Sequence, residues 1–125
     1  MDTFVKSIAI ANSGMQAQSE RLRRISENIA NADTPGYHRK TVPMFSTDGG
    51  RVRAGATQLD QSDLQKIYDP SHPLADGGGY YQGSNVEILF EIADAREAQR
   101  SYEANVKLFE QAKKMSAELF DLLRK

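Results

Sequence analysis

The chain has 125 residues and a formal net charge of −1, with 16 Lys and Arg against 17 Asp and Glu. This length predicts a single domain, and the balanced charge disfavours a general nucleic-acid binder and a polybasic membrane-surface protein. The absence of cysteine excludes disulfide scaffolds, cysteine-ligated zinc and thiol catalysis. No apolar run approaches the roughly 20 residues that a membrane-spanning helix needs. The first residues also lack the pattern of a cleavable signal peptide, so we expect any export to proceed without one.

Residues 3–32 are predicted to form a long helix, because they contain no proline and only one glycine, Gly14. Apolar or small residues recur there at alternating steps of four and three, with Gln18 as the one polar exception. This heptad spacing predicts a helix that packs against another helix. The helix is expected to end near residues 31–33, since Pro35 disfavours a helical conformation in the residue before it. The seam comprises Phe4, Ile8, Ala11, Met15, Gln18, Leu22, Ile25 and Ile29.

Residues 34–84 differ sharply in composition from the segments on either side. They hold all 4 prolines and all of the 9 glycines except Gly14. Between the glycine and proline clusters, residues 37–45 and 64–68 are rich in β-forming side chains. We therefore predict a small, irregular β-hairpin or loop module with extended connections.

Residues 85–125 again lack proline and glycine and predict a second long helix. Ser84 and Glu87 have the spacing of a capping box, which predicts the helix start at this point. Apolar or small residues again follow a helical spacing, interrupted by Ser116. They are Leu89, Ile92, Ala95, Ala98, Tyr102, Val106, Phe109, Ala112, Leu119 and Leu123.

The predicted fold is mainly α, with the two terminal helices paired as an antiparallel coiled coil and the β-hairpin/loop module between them. We divide the chain into an N-terminal helix (1–33), a middle module (34–84) and a C-terminal helix (85–125) that form one structural unit. Several large apolar residues lie outside the single seam of such a pair, and burying each would contribute about 1.5–3 kcal/mol. We therefore expect the helices to complete their burial against other chains, and the lone chain to be marginally stable. The residues outside the seam are Ile10, Ile88, Phe90, Phe120 and Leu122.

Candidate chemical sites are weak in this sequence. His72 lies in a proline-rich segment where a turn explains every residue, and His38 is interpreted as an exposed strand residue. Residues 77–79 are three glycines without the Lys-Ser/Thr pair of a phosphate-binding loop. The basic cluster 21–24 is expected to form ion pairs between helices. We expect no catalytic residue, metal, cofactor or small-molecule substrate.

One segment at the predicted end of the first helix is more specific than a helix stop and turn require. A turn accounts for residues 31–36, but not for the combination of Asn28, Ala30, Tyr37 and Arg39 with them. The segment resembles the signature of the bacterial flagellar axial family, which contains the rod, hook and hook–filament junction proteins. The positions that match are Asn28, Ala30, Asn31, Thr34, Pro35, Gly36, Tyr37 and Arg39.

The resemblance extends over nearly the whole chain. Residues 68–76, 79–81, 85–87 and 100–106 are similar to segments of the proximal rod proteins of that family. It implies a structural, non-enzymatic subunit whose terminal helices pack together and against neighbouring subunits in a helical rod. Such a rod lies in the periplasmic part of the basal body, connects the membrane ring and export gate to the distal rod and hook, and transmits torque. The implied partners are other rod subunits, a rod-base protein, further copies of this chain and the flagellar type III export apparatus.

The resemblance also implies roles for individual residues. Early rod and hook subunits carry a phenylalanine followed four residues later by an apolar residue, an element that the export gate recognises. Phe4 and Ile8 have this spacing, and both are equally explained as seam residues. The seam is expected to carry helix association, chiefly through Ile8, Met15, Leu22, Ile25, Ile29, Ile92, Tyr102, Val106, Phe109 and Leu119.

A second functional class is compatible with the helices alone. A soluble coiled-coil adaptor or export chaperone that binds a partner helix would show similar seams. Such a protein has no reason to carry the Thr-Pro-Gly-Tyr segment at residues 34–37 followed by Arg39. An enzyme would need a convergent polar pocket, for which the sequence offers no candidate.

Overall fold

A computed structural model describes residues 2–124 of the chain. Two long helices, α1 (Asp2–Ala30) and α2 (Ile88–Arg124), enclose a middle region of short strands. The mainly α architecture with a small β module is therefore confirmed. The strands are β1 (Lys40–Thr41), β2 (Met44–Ser46), β3 (Val52–Ala54), β4 (Gln58–Leu59), β5 (Lys66–Tyr68) and β6 (Tyr80–Gln82).

The strands form three separate antiparallel pairs rather than one hairpin. β1 pairs with β4, β2 with β3, and β5 with β6. Strands β1, β2 and β5 fall within the stretches predicted from β-forming residues, whereas β3, β4 and β6 do not. Each strand has only 2 or 3 residues. Elements this short are too brief to show the two-residue alternation on which strand prediction depends.

The end of α1 is followed by a tight turn that the sequence predicts well. The Tyr37 amide donates to the Thr34 carbonyl at 3.2 Å, and Gly36 adopts a φ of 77°. Proline at the second position and a positive-φ glycine at the third are typical of a type II turn. The helix ends at Ala30, one residue before the predicted boundary at 31–33, and residues 31–34 form turn hydrogen bonds.

The predicted capping box at the start of α2 is wrong. The helix begins at Ile88, and the Glu87 carbonyl accepts the hydrogen bond from the Glu91 amide. The Ser84 hydroxyl instead donates to the Ala32 carbonyl and accepts from the Val86 amide. Ser84 is thus used to hold the chain beside the end of α1 rather than to cap α2.

The two helices pack against each other over the most extensive contact between any two elements. Gly14 lies directly beneath Asn105, so that a Cβ atom at this position would stand 2.6 Å from the Asn105 amide group. A side chain at position 14 would therefore force the Asn105 side chain to move. The buried side chains along the helices are mostly small, which lets the two backbones approach closely: Ala11, Ala17, Ile25, Ala98 and Ala112.

The covered face of α2 coincides with the predicted seam only in part: Ala98 and Ala112 are buried, but other predicted members are not. Leu89 and Leu123 are 82% and 73% exposed. Ser101, Asn105 and Ser116 are instead partly covered. Where α1 approaches most closely, small and polar residues lie on this face, and larger apolar residues such as Val106 and Phe109 are partly covered beside them.

A neighbouring side of α1 contacts the middle region. The Val52 amide of β3 donates to the Ser13 hydroxyl at 3.0 Å, and β3 packs along α1. Within the described residues, neither helix has the combination of length and apolar character that crossing a membrane requires.

Candidate functional site

The best-defined site is a buried polar cluster where α1, the middle region and α2 meet. We call it the polar junction, and it comprises Asn28, Tyr37, Arg39, Asp60, Asn85 and Glu91. The largest fully buried side chains among the described residues are all polar, and two of them, Asn28 and Glu91, belong to this junction. Buried polar groups cost free energy unless they are paired, so their partners determine whether the site is stable.

Asn28 lies on the last turn of α1, and every donor and acceptor of its side-chain amide forms a hydrogen bond. Its Nδ2 donates to the Lys40 carbonyl at 2.9 Å and to Glu91 Oε2 at 3.2 Å. Its Oδ1 accepts from the Tyr37 hydroxyl at 2.9 Å and from the Lys40 amide at 2.8 Å. Two donors and two acceptor sites exhaust the capacity of an asparagine amide. One side chain thus binds α1 to β1, to the turn and to α2.

Glu91 is a carboxylate with no exposed surface on the first turns of α2. Arg39 Nε donates to Glu91 Oε1 at 2.8 Å, and Asn28 donates to the other carboxylate oxygen. The same guanidinium contacts Asp60 Oδ2 at 3.2 Å and lies 3.7 Å from Asp94. Burial disfavours the charged guanidinium, but the hydrogen bonds and negative charges of Glu91 and Asp60 together outweigh this effect, and the pKa of Arg39 is raised. The charge of Glu91 is therefore both paired and hydrogen-bonded.

Asn85 ties the middle region to the residues just before α2. Its Oδ1 accepts from the Arg39 amide at 2.6 Å, and its Nδ2 donates to the carbonyls of Asp60 and Ser62 at 2.9 and 3.1 Å. The Asp60 carboxylate accepts from the Ser62 amide and from Arg39. Hydrogen bonds from Ser62, and then from Arg39, lower the pKa of Asp60. The stretch around Asp60 is thereby fixed to both ends of the module.

A second, more exposed group of charges flanks the junction on α1. Lys40 Nζ contacts Glu27 Oε2 at 2.8 Å, and Arg24 contacts the other Glu27 oxygen at 2.6 Å. The hydrogen bond from Lys40 is the main reason that the pKa of Glu27 is lowered. Arg24 also pairs with Glu20, whose hydrogen bond raises the pKa of Arg24.

Most residues of the family signature at positions 28–39 belong to this junction or lie around it. Asn31 Nδ2 donates to the Glu27 carbonyl, and the Thr34 hydroxyl donates to Asn31 Oδ1 at 3.1 Å. The Gly36 amide donates to the Gly83 carbonyl at 3.0 Å, which joins the turn to the end of β6. Ala30 and Pro35 are exposed and make no hydrogen bond with their side chains.

The predicted seam residues occupy three kinds of position. Ile25 is buried, whereas Ile29, Ile92 and Tyr102 are 36–40% exposed. The remaining members are partly covered, as is Phe4 of the predicted export element: Ile8, Met15, Leu22, Val106, Phe109 and Leu119. None of these placements by itself identifies a contact with another chain.

The histidines and the basic cluster occupy ordinary structural positions. His38 is partly covered rather than exposed, with Nδ1 3.0 Å from the Asp60 carbonyl, so its prediction as an exposed residue is wrong. His72 lies in a turn and stacks on Tyr81 at a centroid distance of 3.8 Å. Of the basic cluster, Arg21 reaches α2 at Asp94 and Glu97, while Arg23 and Arg24 pair within α1.

Sequence reasoning does not single out Glu91, because an acidic residue in the first turn of a helix is already explained by the helix dipole. A signal was present, since positions 91, 95 and 98 share one helical face and the other two are alanines. A lone carboxylate on a small, buried face indicates a polar partner in the tertiary structure. Which partner it meets depends on the path of residues 37–40, which no local pattern predicts.

The polar junction is built to hold segments together rather than to react with a substrate. The Arg39 guanidinium is paired with the carboxylates of Asp60 and Glu91. The Asn28 amide has no hydrogen-bonding capacity left for a ligand. Among residues 2–124, no group of three His, Asp or Glu side chains could hold a metal ion. The chemistry of the site is that of a structural joint.

Comparison with known proteins also indicates a structural protein. Residues 8–38 match the family described as "Flagella basal body rod protein", and residues 78–122 match "Flagellar basal body rod FlgEFG protein C-terminal". These two ranges contain most of the polar junction.

Relatives align over most of the chain. The flagellar basal-body rod protein FlgC of Agrobacterium fabrum strain C58 is 43% identical, over 99% of this chain and 98% of the relative. The FlgC proteins of Buchnera aphidicola from Acyrthosiphon pisum and of Salmonella typhimurium are 38% and 34% identical, each over 85% of this chain and 88% and 87% of their own length. The chain therefore belongs to the FlgC family of flagellar basal-body rod proteins, which is a structural family and not a family of enzymes.

Proposed function

We propose that this chain is a subunit of the proximal part of the rod and that it assembles helically with other rod subunits and further copies of itself. The observation that carries this proposal is the polar junction, which clamps residues 34–84 to both helices through Asn28, Arg39 and Glu91. A subunit that transmits torque must keep its parts at fixed angles under load. A joint of paired buried charges supplies such rigidity, because each group loses its partner if the segments separate.

We further propose that the two helices pair as an antiparallel coiled coil. The contacts that support this pairing run in opposite order along the two helices. Asn28, near the end of α1, meets Glu91 near the start of α2, Arg21 meets Asp94, and Gly14 meets Asn105. Under this arrangement the chain acts as one unit made of the helix 1–33, the module 34–84 and the helix 85–125.

Helix association between subunits is assigned to the predicted seam and its neighbours. Seam members that are more than one-third exposed, such as Ile92 and Tyr102, have apolar surface left to bury against other chains. Exposed large apolar residues continue along α2 at Leu108, Met115 and Phe120. Burying such side chains in contacts with neighbours would add about 1.5–3 kcal/mol for each.

Export is proposed to precede assembly and to leave the N-terminus uncleaved. Phe4 and Ile8 are suitably spaced for recognition by the flagellar type III export gate and are only partly covered by the rest of the chain. The same side chains would pack against α2 once the subunit has folded. The proposed destination is the periplasmic part of the basal body, between the membrane ring and the distal rod and hook.

The role of the seam is tested by placing a charge in it. Leu22→Asp or Val106→Asp would put an unpaired carboxylate on a partly covered helix face, at a cost that prevents assembly. We expect both variants to be exported but to leave cells non-motile, with no rods in isolated basal bodies. The matched controls are Leu22→Met and Val106→Ile, which retain apolar character and should preserve motility. Normal motility in either aspartate variant would contradict the proposal.

A further inference from the structure

The sequence Asp-Gly-Gly occurs twice in the middle region, at residues 48–50 and 76–78, in different structural settings. An Asp–Gly bond is chemically labile, because glycine has no side chain to hinder attack of its amide nitrogen on the preceding carboxyl group. A Cβ atom at Gly49 or Gly77 would meet no atom within 4 Å, so packing shields neither nitrogen. The two segments are thus matched in local sequence and openness, and a difference in reactivity between them must arise from the carboxyl groups.

The carboxylate of Asp76 is held by hydrogen bonds from the main chain. Its Oδ1 accepts from the Gly78 amide at 2.8 Å and from the Tyr80 amide at 3.1 Å. The hydrogen bonds from Tyr80 and Gly78 lower the pKa of Asp76, since they favour the charged form. They also restrain rotation of the side chain. Both effects slow attack by the Gly77 nitrogen, because that reaction needs a mobile carboxyl group that can lose an oxygen as water.

Asp48 lacks these restraints. It is exposed at the tip of the hairpin formed by β2 and β3, and its carboxylate has no hydrogen bond or ion pair with the residues that the structure describes. The turn is closed by main-chain contacts alone, since the Thr47 amide donates to the Arg51 carbonyl at 2.8 Å and the Gly50 amide donates to the Thr47 carbonyl at 3.2 Å. The Asp48 side chain therefore rotates without breaking any of the contacts that shape the turn.

We propose that Asp48, in contrast to Asp76, isomerises spontaneously to isoaspartate in the folded chain. The Gly49 nitrogen forms a bond to the carboxyl carbon of Asp48, and the carboxyl hydroxyl leaves as water with the amide proton. Water then adds to the former main-chain carbonyl of the cyclic imide and breaks its bond to the same nitrogen. The product has the original mass, but its main chain now runs through the side-chain methylene group. The reaction needs no enzyme, cofactor or oxidant, and it does not depend on the proposed rod function.

The modified turn is expected to loosen the hairpin from α1. An extra main-chain atom at residue 48 disturbs the hydrogen bond between Thr47 and Arg51 that closes the turn. β3 follows directly, and its Val52 amide donates to the Ser13 hydroxyl of α1 at 3.0 Å. Hydrogen exchange of the Val52 amide should therefore be several-fold faster in the isomerised chain, because this contact opens more often.

The proposal is tested by ageing the purified full-length chain at neutral pH and physiological temperature. Peptide mapping by chromatography and mass spectrometry separates isoaspartyl from aspartyl peptides of equal mass. We expect isoaspartate to accumulate several-fold faster at position 48 than at position 76. In urea that unfolds the chain, the two rates should become similar, because the hydrogen bonds to Asp76 are lost. Circular dichroism verifies the folded and unfolded states.

The control variant is Asp48→Glu, which retains the charge but would need a larger ring to react. It should give no isomer at this position, and ageing should leave its Val52 exchange unchanged. Equal rates at positions 48 and 76 in the folded chain would overturn the proposal. A ratio that persists in urea would overturn it as well, since flanking sequence rather than the fold would then set the rates. Unchanged Val52 exchange after isomerisation would overturn the expected effect on the hairpin.

Discussion

Asn28 illustrates, at the scale of one residue, how a structural protein can depend on a polar side chain for its shape. Asn28 belongs to the family signature at residues 28–39, and the end of a helix does not by itself require asparagine at this position. The sequence could not indicate that its amide would contact Glu91, 63 positions away in the chain. Asp60 belongs to no local pattern that predicts pairing, and the alanine face around Glu91 indicates only that some polar partner exists. Neither identifies Arg39, which reaches both carboxylates only through tertiary folding.

Removing the Asn28 amide should destabilise the chain strongly. Asn28→Ala leaves the Tyr37 hydroxyl, the Lys40 amide and one oxygen of Glu91 without their partner. We expect a loss of about 2–3 kcal/mol in the free energy of unfolding, the cost of leaving buried polar groups unpaired. Urea denaturation measures this loss in the free energy of unfolding. The matched control is Asn12→Ala, because Asn12 is exposed on the same helix. Equal effects of the two substitutions would show that the junction does not stabilise the fold.

The junction also predicts how stability depends on pH. The pKa of Asp60 is lowered in the folded chain, first by hydrogen bonds from Ser62 and then by Arg39. The ordinary pKa of an aspartate is about 3.9, so the stabilisation is present above that pH and is lost as the pH falls through the lower folded value. Asp60→Asn should therefore be less stable than the wild type at pH 7, and the difference should shrink below about pH 3. Urea denaturation of the wild type and Asp60→Asn at pH 7 and below about pH 3 measures this difference in stability. A difference that stays constant down to acid pH would contradict the prediction.

At the scale of elements, the two helices and the end of α1 are predictable from the sequence, whereas the start of α2 is not. Long stretches free of proline and glycine, with heptad spacing, sufficed to predict α1 and α2. The start of α2 was misplaced because Ser84 and Asn85 satisfy groups in the end of α1 and the middle region instead of capping a helix. The predicted seam of α2 includes exposed residues such as Leu89 and Leu123, because the pattern of apolar residues marks what is available for packing. Gly14 and the alanines determine how close the helices come.

This close approach leads to a prediction at Gly14. A leucine there would enter the space of the Asn105 side chain, which lies within contact distance of any added Cβ. We expect Gly14→Leu to cost about 1–3 kcal/mol of stability through overpacking, although leucine favours helix formation more than glycine does. Ser19→Leu, at an exposed position of the same helix, should be neutral or mildly stabilising. The midpoints of thermal unfolding of Gly14→Leu and Ser19→Leu are compared with that of the wild type. An unchanged midpoint for Gly14→Leu would argue against tight packing of the helices.

The whole molecule buries few large apolar side chains for its length. The buried apolar residues are mainly alanines, while many large apolar side chains along both helices remain exposed. We expect such a chain to gain much of its stability from contacts with other chains. We expect the thermal midpoint of the purified protein to rise with concentration as copies associate. Circular dichroism melts over a wide concentration range test this, and a high midpoint that does not change on dilution would favour a self-sufficient, adaptor-like protein.

The central claim is that this chain is an early structural subunit of the rod, and electron microscopy of basal bodies from a strain lacking it tests that claim most directly. We predict that the membrane rings remain while rod, hook and filament are missing, and that the wild-type chain supplied in trans restores all three. Complete basal bodies in cells without the chain, and without a second copy of the gene, would contradict the claim.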